Sequence, residues 1–222
     1  MTAAPPEIPI AGPADSLEVR WIAPGPLVTA MREWFARFPA RMETRADAYL
    51  LVPRLPGLSV KLRDGNTLDV KSYLGSPGFI DLPYRCRGRL ESWRKWSFRF
   101  EQAAWDDVLP AGWSMVRKRR HRIWFPAFSP DGPRAAEAGC AVELTQACVR
   151  GEPWWTLGFE ATGSGGLLRD ALDHTASLLF AQPPPAGIEF GLDSSRSYLD
   201  WLAKEAGTDA GRDDGSALGA AG

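Results

Sequence analysis

Alternation with a period of two runs through most of the chain between residues 16 and 161, and one of the two faces it creates is charged. Leu17–Ile22 sets Leu17, Val19 and Trp21 against Glu18 and Arg20, and Pro24-Gly25 ends the segment. Segments 58–63 and 67–73 alternate in the same way around Asp64-Gly65-Asn66, a sequence suited to a hairpin turn. Residues 88–100 and 113–125 form longer alternating stretches, and Ala48–Val52 is a shorter strand candidate. Segments 141–149 and 154–161 predict a second hairpin around Arg150-Gly151-Glu152-Pro153. Apolar residues at helical spacing predict helices over 26–38, 167–180 and 195–206. About eight strands and three helices give an α+β chain dominated by antiparallel sheet.

The polar strand face is the constraint. Glu18, Arg20, Lys61, Arg63, Lys71, Arg89, Glu91, Lys95, Lys118, Arg120, Arg122, Glu143 and Glu160 all fall on it. An open antiparallel sheet shows such a face to water. An antiparallel β-barrel of about eight strands, with flanking helices, turns it inward and holds one small ligand. Trp93 shares the face of Arg89, Glu91 and Lys95, where it either covers an arginine stem or packs on an aromatic ligand. The formal net charge is only −1, but residues 16–125 hold 20 Lys+Arg and 11 Asp+Glu, against 6 and 14 over 126–222. The two halves either neutralise each other in one domain or leave a basic surface for an anionic partner. The basic residues are 21 Arg and 5 Lys, and arginine suits bidentate contact with phosphate or carboxylate.

Several function classes fall away. No apolar run approaches the ~18–20 residues of a membrane helix, and residues 1–15 lack the pattern of a secretory signal, so a cytoplasmic location is expected. Three cysteines and two histidines leave little for a disulfide framework or a zinc site. Ser164-Gly165-Gly166 precedes a helix but lacks the P-loop pattern. His121 has the opposite parity to Arg120 and Arg122, and His174 falls on a helix surface. Alternation splits the basic run 117–122 between two faces, and the second half is acidic, which disfavours nucleic acid as a partner. Residues 1–15 read as a flexible arm, 16–205 as one domain and 206–222 as a disordered tail.

The order of these segments resembles the CYTH-like superfamily, the triphosphate tunnel fold of class IV adenylate cyclases and thiamine triphosphatases. Glu18-Val19-Arg20 resembles the second half of its opening Glu-x-Glu-x-Lys strand. Lys61 and Arg63 resemble the basic pair of the next hairpin, Lys71 its following lysine, and Val116–Arg120 the later basic strand. Val142-Glu143-Leu144 and Leu157–Glu160 resemble the acidic strand pair near the end. The likeness covers roughly residues 16–180.

It implies a tunnel that clamps a phosphorylated or polyanionic small molecule with Arg20, Lys61, Arg63, Lys71, Arg89, Lys118, Arg120 and Arg122. It also implies Mg²⁺ or Mn²⁺ held by Glu18, Glu143 and Glu160, which would then serve phosphohydrolase or nucleotidyl-transfer chemistry. Three departures weaken that chemistry. Ser16, Thr145 and Gly158 stand where the pattern has carboxylates. The sequence therefore leaves open an enzyme of weak or altered activity, a non-catalytic anion-binding module, and a barrel reused for a carboxylate or aromatic ligand. Oligomeric state is open as well.

Overall fold

Eight antiparallel strands close on themselves in the computed structural model, which describes residues 10–52, 57–99, 111–127, 138–163 and 166–205. The barrel order is β1 (Ile10–Pro24), β10 (Glu152–Thr162), β9 (Gly139–Val149), β8 (Trp113–Pro126), β2 (Arg41–Leu50), β3 (Leu58–Arg63), β4 (Thr67–Gly75) and β7 (Glu91–Arg99), which pairs again with β1. A separate hairpin, β5 (Phe79–Leu82) and β6 (Cys86–Arg89), lies outside the barrel. Three helices, α1 (Thr29–Ala36), α2 (Leu167–Leu179) and α3 (Tyr198–Glu205), complete an α+β fold. The tight turns use the expected chemistry. Asp64-Gly65 and Arg150-Gly151 take positive φ (45° and 74°, 53° and 88°), the twist a short hairpin needs.

The apolar strand face points outward and is covered. Leu17, Val19 and Trp21 of β1 pack with Leu157 and Phe159 of β10, Met31 and Phe35 of α1, and Leu172, Ala176 and Leu179 of α2. Trp21 is 1% exposed, its ring meets Phe159, Phe180 and Phe190 edge-on, and its Nε1 donates to the Arg87 carbonyl at 2.9 Å. The β5–β6 hairpin comes so close to β1 that a Cβ on Gly88 would lie 2.4 Å from Val19 Cγ2.

A second apolar cluster sits inside the barrel at one end. Ile22, Tyr49, Val116, Ala147 and Val149 meet Trp201 and Leu202 of α3, all at most 4% exposed. The amphipathic helix α3 thus plugs one mouth. At the opposite end Arg122 and Glu43 keep side-chain exposures of 44% and 38%.

Four boundaries differ from the sequence reading. Strand β2 runs over Arg41–Leu50, in place of the expected 48–52, because its outer residues Met42, Thr44 and Ala46 give only a weak apolar face to detect. The stretch 88–100 breaks at the fully buried Leu90, where the chain passes from β6 to β7. Within the expected arm, residues 10–15 belong to β1, and Ala14 and Asp15 pair with Lys95 and Arg94 of β7. Two expected helices begin three residues later and end one or two residues earlier, so that α1 and α3 each span eight residues. Residues 1–9, the tail 206–222 and Ser164-Gly165 lie outside the described residues. No helix among the described residues is long and apolar enough to cross a membrane.

Removing the ring at the centre of the outer core leaves a cavity bounded by aromatic neighbours. Trp21→Ala should therefore cost about 3–5 kcal/mol in urea denaturation, whereas Trp124→Ala, at a ring 39% exposed, should cost less than about 1 kcal/mol.

Candidate functional site

The inward strand face encloses a cavity of about 260 Å³, lined by nine basic and six acidic side chains. Parity places them. The charged residues alternate with the outer core on β1, β8, β9 and β10, and the ladder register carries the same parity onto the remaining strands, so one register choice turns them all inward. Glu18, Arg20, Lys61, Arg63, Lys71, Lys118, Arg120, Arg122, Glu143 and Glu160 all reach this cavity. Arg89 does not. It ends β6 outside the barrel, its guanidinium lies 5.9 Å from the Phe79 ring, and its main-chain N–H donates to Ser195 Oγ at 2.9 Å. Its parity matched Glu91, but the strand break at Leu90 separates the two.

Ion pairs organise the interior into three groups. In the deepest, Asp47 is fully buried and accepts from Lys118 Nζ at 2.6 Å and Arg45 at 3.1 Å, while Asp69 faces Lys61 at 3.4 Å, pairs with Arg63 and accepts from Ser97 Oγ at 2.7 Å. Lys118 also donates to Tyr49 Oη at 2.7 Å and lies 3.9 Å from the Tyr198 ring, which stacks on Tyr49 at 5.7 Å. In the second, Glu143 pairs with Arg120 and stands 3.9 and 3.5 Å from Arg20 and Arg122, while Arg120 also meets Glu43 at 2.6 Å. In the third, Lys71 Nζ sits between Glu18 and Glu160, at 2.5 and 3.3 Å.

This confinement shifts the acid–base properties. Burial pulls the ammoniums of Lys61 and Lys118 down to about 7, because the nearby carboxylates only partly offset it and Arg45 opposes them. Burial and Arg45 likewise bring Arg120 to about 10. Asp47 moves the other way: burial favours its neutral form, but Lys118, Lys61 and Arg45 together hold its carboxyl far below the usual range. Glu160 is held well below its ordinary value first by Lys71. Burial opposes the charge on Lys71, yet Glu160 and Glu18 keep it above the ordinary lysine value.

The carboxylates expected to share a divalent cation do not form one group. Glu18 and Glu160 are direct neighbours across β1 and β10 and converge on Lys71, whereas Glu143 is committed to arginines. Among the described residues no cluster of three His, Cys, Asp or Glu side chains is arranged to hold a metal. The donor set does not fit Mg²⁺ or Mn²⁺, because an ammonium stands between the two oxygens such an ion would bridge. The three departures have local accounts. Ser16 Oγ donates to Glu18 at 2.8 Å. Thr145 is buried opposite Arg120 and Thr156, and its Oγ1 has no hydrogen-bond partner among the described residues. At Gly158 a Cβ would lie 2.6 Å from the guanidinium carbon of Arg20, so a carboxylate side chain there would displace that arginine.

Sequence reasoning missed Glu43, Arg45, Asp47, Tyr49, Asp69 and Tyr198. The signal for three of them was present, since Glu43, Arg45 and Asp47 continue a charge alternation that starts at Arg41, although the residues between them are mostly small. Trp93 lines the cavity, packs on Tyr73 at 5.1 Å and donates from Nε1 to Glu91 at 3.1 Å.

No family model matches the chain, and no curated protein matches it. Among solved structures it is similar to a conserved hypothetical protein from Pyrococcus furiosus, with 15% identity and a TM-score of 0.41 over 82% of this chain and 98% of that one. It is also similar to the PH1819 protein from Pyrococcus horikoshii OT3, with 15% identity and a TM-score of 0.40 over 85% and 99% of the two chains.

Asp47 is the counter-ion on which the deep group depends. Asp47→Asn leaves Lys118 and Arg45 buried with their shared partner gone, and should destabilise the protein by about 3–5 kcal/mol in guanidinium denaturation. Asp47, Asp69 and Glu160 are all depressed, so the stability they contribute is complete above the ordinary carboxylate range. It should be lost as pH falls below about 4, measured as a falling denaturation midpoint.

Proposed function

We propose that the barrel is a receptor for a small polyanion, with phosphorylated molecules as the ligand class. The supporting observation is the excess of basic over acidic groups lining a cavity closed at one end, nine against six. In the deep group, Arg45, Lys61, Arg63 and Lys118 gather around only two carboxylates, Asp47 and Asp69. The lysines there lie near the edge of losing their protons. An entering anion supplies the missing negative charge in a site largely withdrawn from water, where charge-assisted contacts are strong. A polycarboxylate satisfies the same electrostatics, and relative affinity separates it from a phosphate ligand. The reading is of binding. Metal-assisted hydrolysis is the weaker alternative, because the carboxylates it needs are already engaged as counter-ions.

Inorganic tripolyphosphate is a suitable probe, titrated calorimetrically. Lys61→Ala and Arg63→Ala should each weaken its binding by about 1.5–3 kcal/mol, while Arg169→Ala, on the surface of α2, should leave it unchanged. Equal small effects at all three positions would indicate diffuse attraction and sink the reading.

Proton linkage gives a second test. The free protein carries Lys61 and Lys118 depressed to about 7, and a bound anion raises both. Binding at about pH 8 should therefore take up protons, seen as a dependence of the measured enthalpy on buffer ionisation. Affinity should fall as pH rises above about 7. Lys61→Met should reduce the proton uptake, and an uptake of zero in the wild-type protein would count against these lysines as the anion's partners.

A further inference from the structure

Three carboxylates stand abreast in the barrel wall. Glu18 on β1 is the direct ladder partner of Glu160 on β10, and on its other side of Glu91 on β7. Directly opposed like charges destabilise a sheet, since their Cβ atoms lie about 4.5–5.5 Å apart. The row needs a cation, and the chain supplies one from β4: Lys71 Nζ reaches Glu18 at 2.5 Å and Glu160 at 3.3 Å. All three of these side chains are largely withdrawn from water, with exposures of 18%, 16% and 21%. One position along the wall, Arg20 repeats the arrangement. Its guanidinium lies over Gly158, donates to Thr156 Oγ1 at 3.2 Å and faces Glu143.

We propose that Lys71 is a resident counter-cation of the Glu18–Glu160 pair, and that the tunnel consequently takes its polyanion free of divalent metal. The second half rests on the polyanion reading above, while the first stands on geometry alone. A divalent ion bound to the incoming anion finds no open carboxylate pair in this wall. It meets instead the Lys71 ammonium, already seated between the Glu18 and Glu160 oxygens such an ion would bridge, and it cancels the ligand charge that the deep basic group requires. The lumen therefore discriminates between a free polyphosphate and its Mg²⁺ chelate, and favours the free form. The ammonium is well suited to permanence. Glu160 and Glu18 hold its proton against burial, so it stays charged throughout the neutral range.

Two measurements on the full chain test this. The first is Mn²⁺ binding without any anion, followed by electron paramagnetic resonance of the free ion. The wild-type protein should bind Mn²⁺ no better than an exposed carboxylate surface. Lys71→Met should gain at least about tenfold in affinity, because it releases a set of hard oxygen ligands. Mn²⁺ should also raise the melting temperature of Lys71→Met and leave that of the wild type unchanged. If Lys71→Met does not fold, Glu91→Gln/Lys71→Met relieves one like-charge contact and should show the same gain. Wild-type Mn²⁺ affinity equal to that of the folded variant overturns the role of Lys71.

The second measurement is tripolyphosphate titration of the wild type in EDTA and in excess Mg²⁺. Affinity should drop by at least about fivefold in Mg²⁺. Unchanged or tighter binding in Mg²⁺ overturns the metal-free selectivity. Absence of tripolyphosphate binding in both buffers removes the polyanion reading and the selectivity with it, while the Mn²⁺ arm still decides whether Lys71 fills the cation position.

Discussion

Burying the charged face of the sheet is what everything else in this structure accommodates. A barrel that turns its ionic side chains inward loses their hydration, and the loss is tolerable only where each carboxylate is matched by cations at hydrogen-bond distance. Asp47, Asp69, Glu143 and the Glu18–Glu160 pair are each matched in that way. The apolar face is then left outside, where it would aggregate if bare, and α1, α2 and the β5–β6 hairpin cover it around Trp21. Interior and exterior are thus the reverse of a soluble sandwich, and the helices replace water as the outer solvent of much of the sheet.

The matching is uneven, and the unevenness has a direction. Around Asp47 and Asp69 the cations outnumber the anions, while around Lys71 the opposite holds. The closed ladder thus joins two walls of different balance. On the proposed polyanion reading, the wall rich in cations would draw the anion, and the wall with the carboxylate row would set the side of the lumen that it avoids.

Much of this was legible in the sequence because alternation carries sidedness without any knowledge of partners. Glu18 and Arg20 opposite Val19 and Trp21 already say that the two faces of β1 meet different media. The same pattern at 58–63, 67–73 and 113–125 gave the barrel wall and most of the basic residues in it. Where the outer face lacks bulky apolar residues, the pattern fades. The strand β2 has Met42, Thr44 and Ala46 outside, so Glu43, Arg45 and Asp47 had only a weak apolar counterpoint to reveal them. Arg89 was misplaced for the converse reason: its parity is right, but parity says nothing about the point where a chain leaves one sheet for another. Pairing was invisible too. That Glu18 meets Lys71 and Glu143 meets arginines depends on the closing order of the barrel, which alternation alone does not encode.

The plug made by Trp201 and Leu202 gives the lumen a floor. A vessel with a floor admits only what can enter head first and leave by backing out. On the proposed polyanion reading, a long linear polymer would not thread through it, and a chain longer than the lumen would be gripped by its terminus, with the remainder trailing past Arg122 and Glu43 into solvent. Recognition of that kind would count ends, so at a fixed mass of polymer the number of sites engaged would rise as the chains were cut shorter.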